Sequence, residues 1–155
     1  MRAVIQRVLQ AEVVVGDEVV ARLPRPGLLV YLGVTHTDTH AEVAWMARKI
    51  WELRLLREER SASETDAPVL VVSQFTLYGD AVKGRRPTWA AAAPGPFSEP
   101  VYEALCAELQ RLGAHVERGV FGADMRVVST NDGPITLVLE RERPPADPTG
   151  ATLSP

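Results

Sequence analysis

His36 and His40 stand in Thr35-His36-Thr37-Asp38-Thr39-His40, an H-x-D-x-H spacing of side chains able to hold zinc and so to support a metal-dependent hydrolase. The same segment separates an apolar run from an amphipathic stretch, where threonine and aspartate serve as helix caps. The remaining histidine, His115, is far along the chain, and no cysteine cluster supplies further ligands. Structural zinc takes four ligands and catalytic zinc three from the protein, so no metal is expected. The single cysteine, Cys106, cannot close an intrachain disulfide, and its place one position off an apolar stripe suits a packed thiol. No Gly-rich phosphate loop of the P-loop type occurs.

Two other segments offer chemistry of a different kind. Ser73-Gln74-Phe75-Thr76-Leu77 directly follows the apolar run Val69–Val72, and Asn131-Asp132-Gly133-Pro134-Ile135-Thr136 lies between two runs of strand character. Each is a place where rigid scaffold hands over to loop. Backbone N–H groups of Gln74 and Phe75 could face an anionic oxygen as an oxyanion hole, and Gly133-Pro134 suits a cis bond. Each segment also reads as an ordinary turn. A third stretch, Lys83-Gly84-Arg85-Arg86-Pro87 followed by Trp89, is either a basic, aromatic nucleic-acid contact or a solvated loop. The formal net charge is −3, so any contact with nucleic acid must be local.

The elements that position these residues follow from periodicity. Residues 3–9 read as a strand, and 13–15 and 19–21 as a hairpin about Gly16-Asp17. Residues 27–34 (GLLVYLGV) are continuously apolar and suit a strand covered on both faces. Thr39 or Asp38 caps a helix to about Leu53, with Val43, Ala44, Ala47, Ile50, Trp51 and Arg54 on one face. Residues 57–68 read as an irregular loop, 69–73 as a buried strand, and 81–97, with Pro87, Pro94 and Pro96, as extended or looping chain. Ser98 caps a second helix, with Pro100 in its first turn, Val101, Leu105, Leu109 and Leu112 facing inward, and Gly113 at its end. Strands are expected again at 115–121, 125–129 and 135–139.

The sum is an α/β fold: one mixed, largely antiparallel, barrel-like sheet of about seven strands with two main helices. The domain is expected to span residues 1–140, and the Pro-rich end, 141–155, to be a disordered tail. No apolar run reaches the ~20 residues that cross a bilayer, and Gln6 and Arg7 interrupt any signal-peptide core, so a cytoplasmic location and no membrane partner are expected.

The ordered motifs resemble the D-aminoacyl-tRNA deacylases of bacteria and eukaryotes. The opening Met1-Arg2-Ala3-Val4-Ile5-Gln6-Arg7-Val8, the SQxxL motif at 73–77 and the Asn-x-Gly-Pro-x-Thr motif at 131–136 are similar to that family's. Lys83–Pro87, Ala91–Pro94 and Phe121–Met125 match in the same order, so the similarity spans residues 1 to about 139. One stretch departs: Arg60–Ala67 replaces the family's Gly-Lys-Met-Asn loop, shortened and without its lysine.

The resemblance implies hydrolysis of the ester in D-aminoacyl-tRNA, and of glycyl-tRNA, by a homodimer without cofactor. It places Ser73, Gln74, Phe75 and Thr76 at the ester, with backbone donors rather than a nucleophilic Thr76, because no base lies beside that hydroxyl. It implies that a cis Gly133-Pro134, with Asn131 beside it at the substrate, reaches in from the partner, steadied by Arg7, and leaves no room for an L side chain. For Asp132, turn capping explains the residue better than a role as base. Lys83, Arg85 and Arg86 would meet phosphates and Trp89 the terminal adenine at the tRNA 3′ end. Two other readings stand beside it: a non-catalytic module that holds tRNA ends, and a metal-dependent hydrolase using His36 and His40.

Overall fold

The computed structural model describes residues 1–141, so all of the expected tail except Arg141 lies outside the described residues. The chain opens with one long strand, β1 (Arg2–Val15), followed by β2 (Glu18–Arg22) and β3 (Gly27–Gly33). Helix α1 (His40–Glu52), a short α2 (Ala62–Thr65) and β4 (Val69–Ser73) come next. A 3-10 helix (Phe75–Tyr78), α3 (Gly95–Arg111), β5 (Val116–Arg118) and β6 (Met125–Glu140) complete the described order.

Six strands form one mixed sheet in the order β2-β1-β3-β4-β5, with β6 also on β1. Pairing of β1 with β2, β3 and β6 is antiparallel, whereas β3–β4 and β4–β5 are parallel. Helix α1 lies in the connection from β3 to β4, and α3 in that from β4 to β5, as parallel neighbours require. The count falls below seven because β1 joins the two expected strands at 3–9 and 13–15. In the same way β6 runs through the 131–136 motif, which sequence patterning places between strands.

The sheet has apolar contacts on both faces. One core packs Ile5, Leu28, Val30, Val69 and Val71 against Met46 and Ile50 of α1 and Leu105 and Leu109 of α3. The other gathers Val8, Ala11, Val13, Ala21, Leu23, Leu29, Leu70 and Val72. Strands β3 and β4 are therefore buried on both sides, the reason their sequences carry no polar alternation. Strict alternation would put Val8 and Ala11 on opposite faces. Irregular pairing with β6 on either side of Val8 resets the phase, so both enter the second core.

Thr39 is the cap of α1, in a capping box with Glu42. Its buried face includes Met46 rather than Ala44, and Arg54 lies beyond the helix end at Glu52. Helix α3 starts at Gly95 with Pro94 as cap, four residues before the expected start with Ser98 as cap, which puts Pro100 inside the helix. Pro96 occupies the first turn, where a missing N–H costs no intrahelical bond, and the Ser98 hydroxyl donates back to the Pro94 carbonyl at 3.1 Å. Cys106 is buried in the core, and burial pushes its thiol up to about 11, as a packed thiol should be. Residues 57–68 are not irregular throughout: Ser61 and Glu64 make a second capping box around α2.

Candidate active site

Strand β4 ends at Ser73, where the chain turns into the 3-10 helix Phe75–Tyr78. The Gln74 N–H donates to the Leu32 carbonyl at 2.7 Å, extending the β3–β4 ladder, so it does not face an oxyanion as the sequence suggested. Phe75 and Thr76 open the 3-10 helix, and the first donors of such a helix have no acceptor within it. The Gln74 side-chain amide donates to the Thr76 hydroxyl. An amide cannot serve as a base, so this neighbour does not activate Thr76.

Beside this strand end is a cleft of about 550 Å³. Its walls come from Leu32, residues 72–75, Trp89, residues 92–93, Gly95, Ser98 and Tyr102 of α3, and residues 121–125. The lining is mainly apolar, with Asp124 its one carboxylate. Tyr102 is buried and its hydroxyl donates to the Val71 carbonyl at 2.9 Å, tying α3 to the strand that carries the site. Phe121–Met125, a stretch similar to the family's with no role implied by sequence, forms one wall. At the rim Phe75 and Trp89 are both exposed and meet edge to face, their centroids 5.4 Å apart.

Trp89 lies over Gly79, where a Cβ would come within 2.6 Å of the indole. Asp80 and Thr88 exchange two backbone hydrogen bonds of 2.9 Å, closing a loop at that point. Lys83, Arg85 and Arg86 are exposed on this loop next to the cleft rim, and none of them lines the cleft.

The 131–136 motif is elsewhere in the chain and contributes nothing to this cleft. Its Gly133-Pro134 bond is cis. Asn131 donates through Nδ2 to the carbonyls of Arg7 at 2.9 Å and Ile135 at 3.0 Å, so it clips the base of the turn. Arg7 Nε donates to the Asp132 carbonyl at 3.1 Å and lies 3.0 Å from its carboxylate, while Nη1 reaches the Leu55 carbonyl at 3.3 Å. Gly133 has φ +115° and faces the Arg7 guanidinium, which any Cβ would overlap. No residue but glycine suits both conditions.

Asp132 does more than cap a turn. It is 8% exposed and held from a second side by Arg57, whose Nε and Nη2 lie 3.1 and 2.5 Å from its two oxygens. The bond from Arg57, with the charges of Arg57 and Arg7 adding, holds this carboxyl below the usual aspartate range. A lowered value keeps the pair charged at neutral pH and lets it go only as pH falls through that value. Sequence patterning did not find Arg57, which is 75 residues from its partner in a segment read as loop. Strand β1 braces both motifs: Arg2 donates to the Leu77 carbonyl at 3.1 Å, and Arg7 holds the turn.

The histidine spacing is not a ligand set. Asp38 turns inward, accepting from the Met1 ammonium at 2.6 Å and the Thr35 N–H at 2.8 Å, and the His36 ring bonds the Ala90 carbonyl at 3.0 Å. Among the described residues no three His, Cys, Asp or Glu side chains are grouped to hold a metal. Nor is any helix among them long and apolar enough to cross a membrane.

A mixed sheet with its cleft at the carboxyl end of a buried parallel strand defines a class of α/β proteins that bind ligands at strand ends. The family model described as D-Tyr-tRNA(Tyr) deacylase matches residues 4–140. A D-aminoacyl-tRNA deacylase of Thermobifida fusca is 61% identical over 140 residues, covering 90% of this chain and 99% of that protein. One from Acidothermus cellulolyticus is 59% identical with the same coverage. Among solved structures, a c-Myc DNA unwinding element binding protein superposes with a TM-score of 0.87 at 36% identity, covering 92% of this chain and all of that one. The chain belongs to the D-aminoacyl-tRNA deacylase family, ester hydrolases acting on D-aminoacyl-tRNA. A purely tRNA-holding module is thereby set aside.

Proposed function

We propose that the cleft at the end of β4 takes the 3′-terminal aminoacyl-adenosine, with the ester at Ser73–Thr76 and the Phe75 N–H donating to the tetrahedral oxyanion. The observation that carries this reading is the 3-10 helix opening at Phe75 on the cleft wall, its first donors without an intrahelical acceptor. Gln74 and Thr76 position the ester, and the tRNA's own 2′-hydroxyl assists the reaction in place of a protein nucleophile. Trp89 stacks on the terminal adenine, and Lys83, Arg85 and Arg86 meet backbone phosphates.

The turn at Gly133-Pro134 comes from a second copy of the chain and occupies the space an L side chain would need. Its position outside its own cleft supports that arrangement. Glycine has no side chain to reject, so glycyl-tRNA is also a substrate. The reaction belongs in the cytoplasm and uses no cofactor.

Purified protein incubated with D- and L-tyrosyl-tRNA, with and without EDTA, tests the reading. D-tyrosine release should exceed L-tyrosine release by at least ~10²-fold, the scale of a strongly discriminating site. EDTA should change neither rate. Equal cleavage of both enantiomers refutes chiral rejection, and inhibition by EDTA that zinc reverses would restore a metal mechanism.

A further inference from the structure

We infer that Arg57 is a positioning residue for stereochemical selection: with Arg7 it clamps Asp132 from two sides and so fixes where the Gly133-Pro134 turn stands. The inference rests on the proposed role of that turn, which it extends to a residue outside both motifs.

The geometry has three parts. Asp132 immediately precedes Gly133, so the location of its carboxylate sets where the turn begins. Arg57 engages both carboxylate oxygens, the two-point contact that fixes orientation as well as distance. Arg7 takes the backbone carbonyl of the same residue and also reaches Leu55, two positions before Arg57. The segment 54–60 is thus fastened to the turn at two points. Its backbone takes an unusual form, with positive φ at Glu58 and Glu59, directly after Arg57, whose guanidinium reaches Asp132 from this surface segment.

The Arg57 side chain is itself 71% exposed, whereas that of Asp132 is 10% exposed. Removing the arginine therefore opens no cavity in the core. It leaves the aspartate with Arg7 alone, and the turn gains freedom to move. Since the turn excludes L side chains by occupying space, such freedom appears as lost discrimination. A global change in stability is not its signature. Arg57 does not touch substrate, so the expected change is in selectivity and KM, with a smaller change in kcat for the D substrate.

The test compares Arg57→Ala, Arg57→Lys, Asp132→Asn and the double variant Arg57→Ala/Asp132→Asn with the unsubstituted protein. D- and L-tyrosyl-tRNA kinetics and thermal melting are measured for each. Arg57→Ala should lower the D-to-L ratio of kcat/KM about 5- to 10-fold with little change in melting temperature. Lysine, a single-point cation, should restore part of the ratio, and the double variant should lose no more than Asp132→Asn alone. An unchanged ratio in Arg57→Ala, or melting that falls while the ratio stays, overturns the inference. Gly133→Ala separates this from the underlying reading. If it leaves selectivity intact, the turn is not the selector. If it abolishes selectivity while Arg57→Ala does not, only the role of Arg57 fails. Should Arg57→Ala not fold, Arg57→Lys and the Asp132→Asn cycle decide on the same criterion.

Discussion

Thr76 illustrates how a residue's neighbours decide its chemistry. A hydroxyl at a reacting centre suggests a nucleophile, but its bonded neighbour is the Gln74 amide. Thr76→Ala should therefore retain D-tyrosyl-tRNA hydrolysis within about tenfold in kcat. A loss beyond ~10³-fold, the scale of a missing catalytic group, would make Thr76 the nucleophile. Asp132 shows the converse. By type it is an ordinary turn residue, and only the convergence of two arginines turns it into an anchor. Asn131, expected near substrate, has its amide spent on two backbone carbonyls and acts by shaping the turn.

At the level of elements, β4 does most to place the site. It is short and buried on both faces, and its end is fixed by a ladder bond from Gln74 and by Tyr102 of α3. Tyr102→Phe removes one buried donor while Val71 still accepts the Gly119 N–H at 2.9 Å. The expected cost is about 1 kcal/mol, or ~2–4 °C in melting temperature, with the D-to-L ratio unchanged. Calorimetry with the same kinetic assay checks this, and a collapse of selectivity at normal stability would place the hydroxyl in the site. The early start of α3 has a similar logic. Gly95 and Pro96 are poor helix formers by propensity, yet the first turn has no internal donors to lose, and Gly95 and Ser98 join the cleft wall.

For the whole molecule, the two motifs stay apart within a chain, and the proposed active site needs two chains. Light scattering should then give twice the 16.9 kDa of one chain, and activity should fall on dilution into monomer. A fully active species at the monomer mass would remove the cross-subunit arrangement. β6 supplies the turn while pairing along nearly all of β1, so the same long pairing that closes the sheet also presents Gly133-Pro134.

Local physics was sufficient for much of this architecture. The two-sided burial of β3 and β4 follows from unbroken apolar runs, and the C-terminal ends of α1 and α3 from periodicity and Gly113, whereas the choice of Thr39 over Asp38 as the α1 cap came with the fold. The motif residues at 73–76 and 131–134 also stood out, because their order along the chain is itself a signal. What the sequence left open depends on contacts between distant residues. The merging of two strand pairs into β1 and β6, the loss of the Gln74 N–H to Leu32, and the Arg57–Asp132–Arg7 clamp are all of this kind. Hydrogen-bond partners 42, 75 or 125 positions apart leave no periodicity to read, so only the folded chain could choose them.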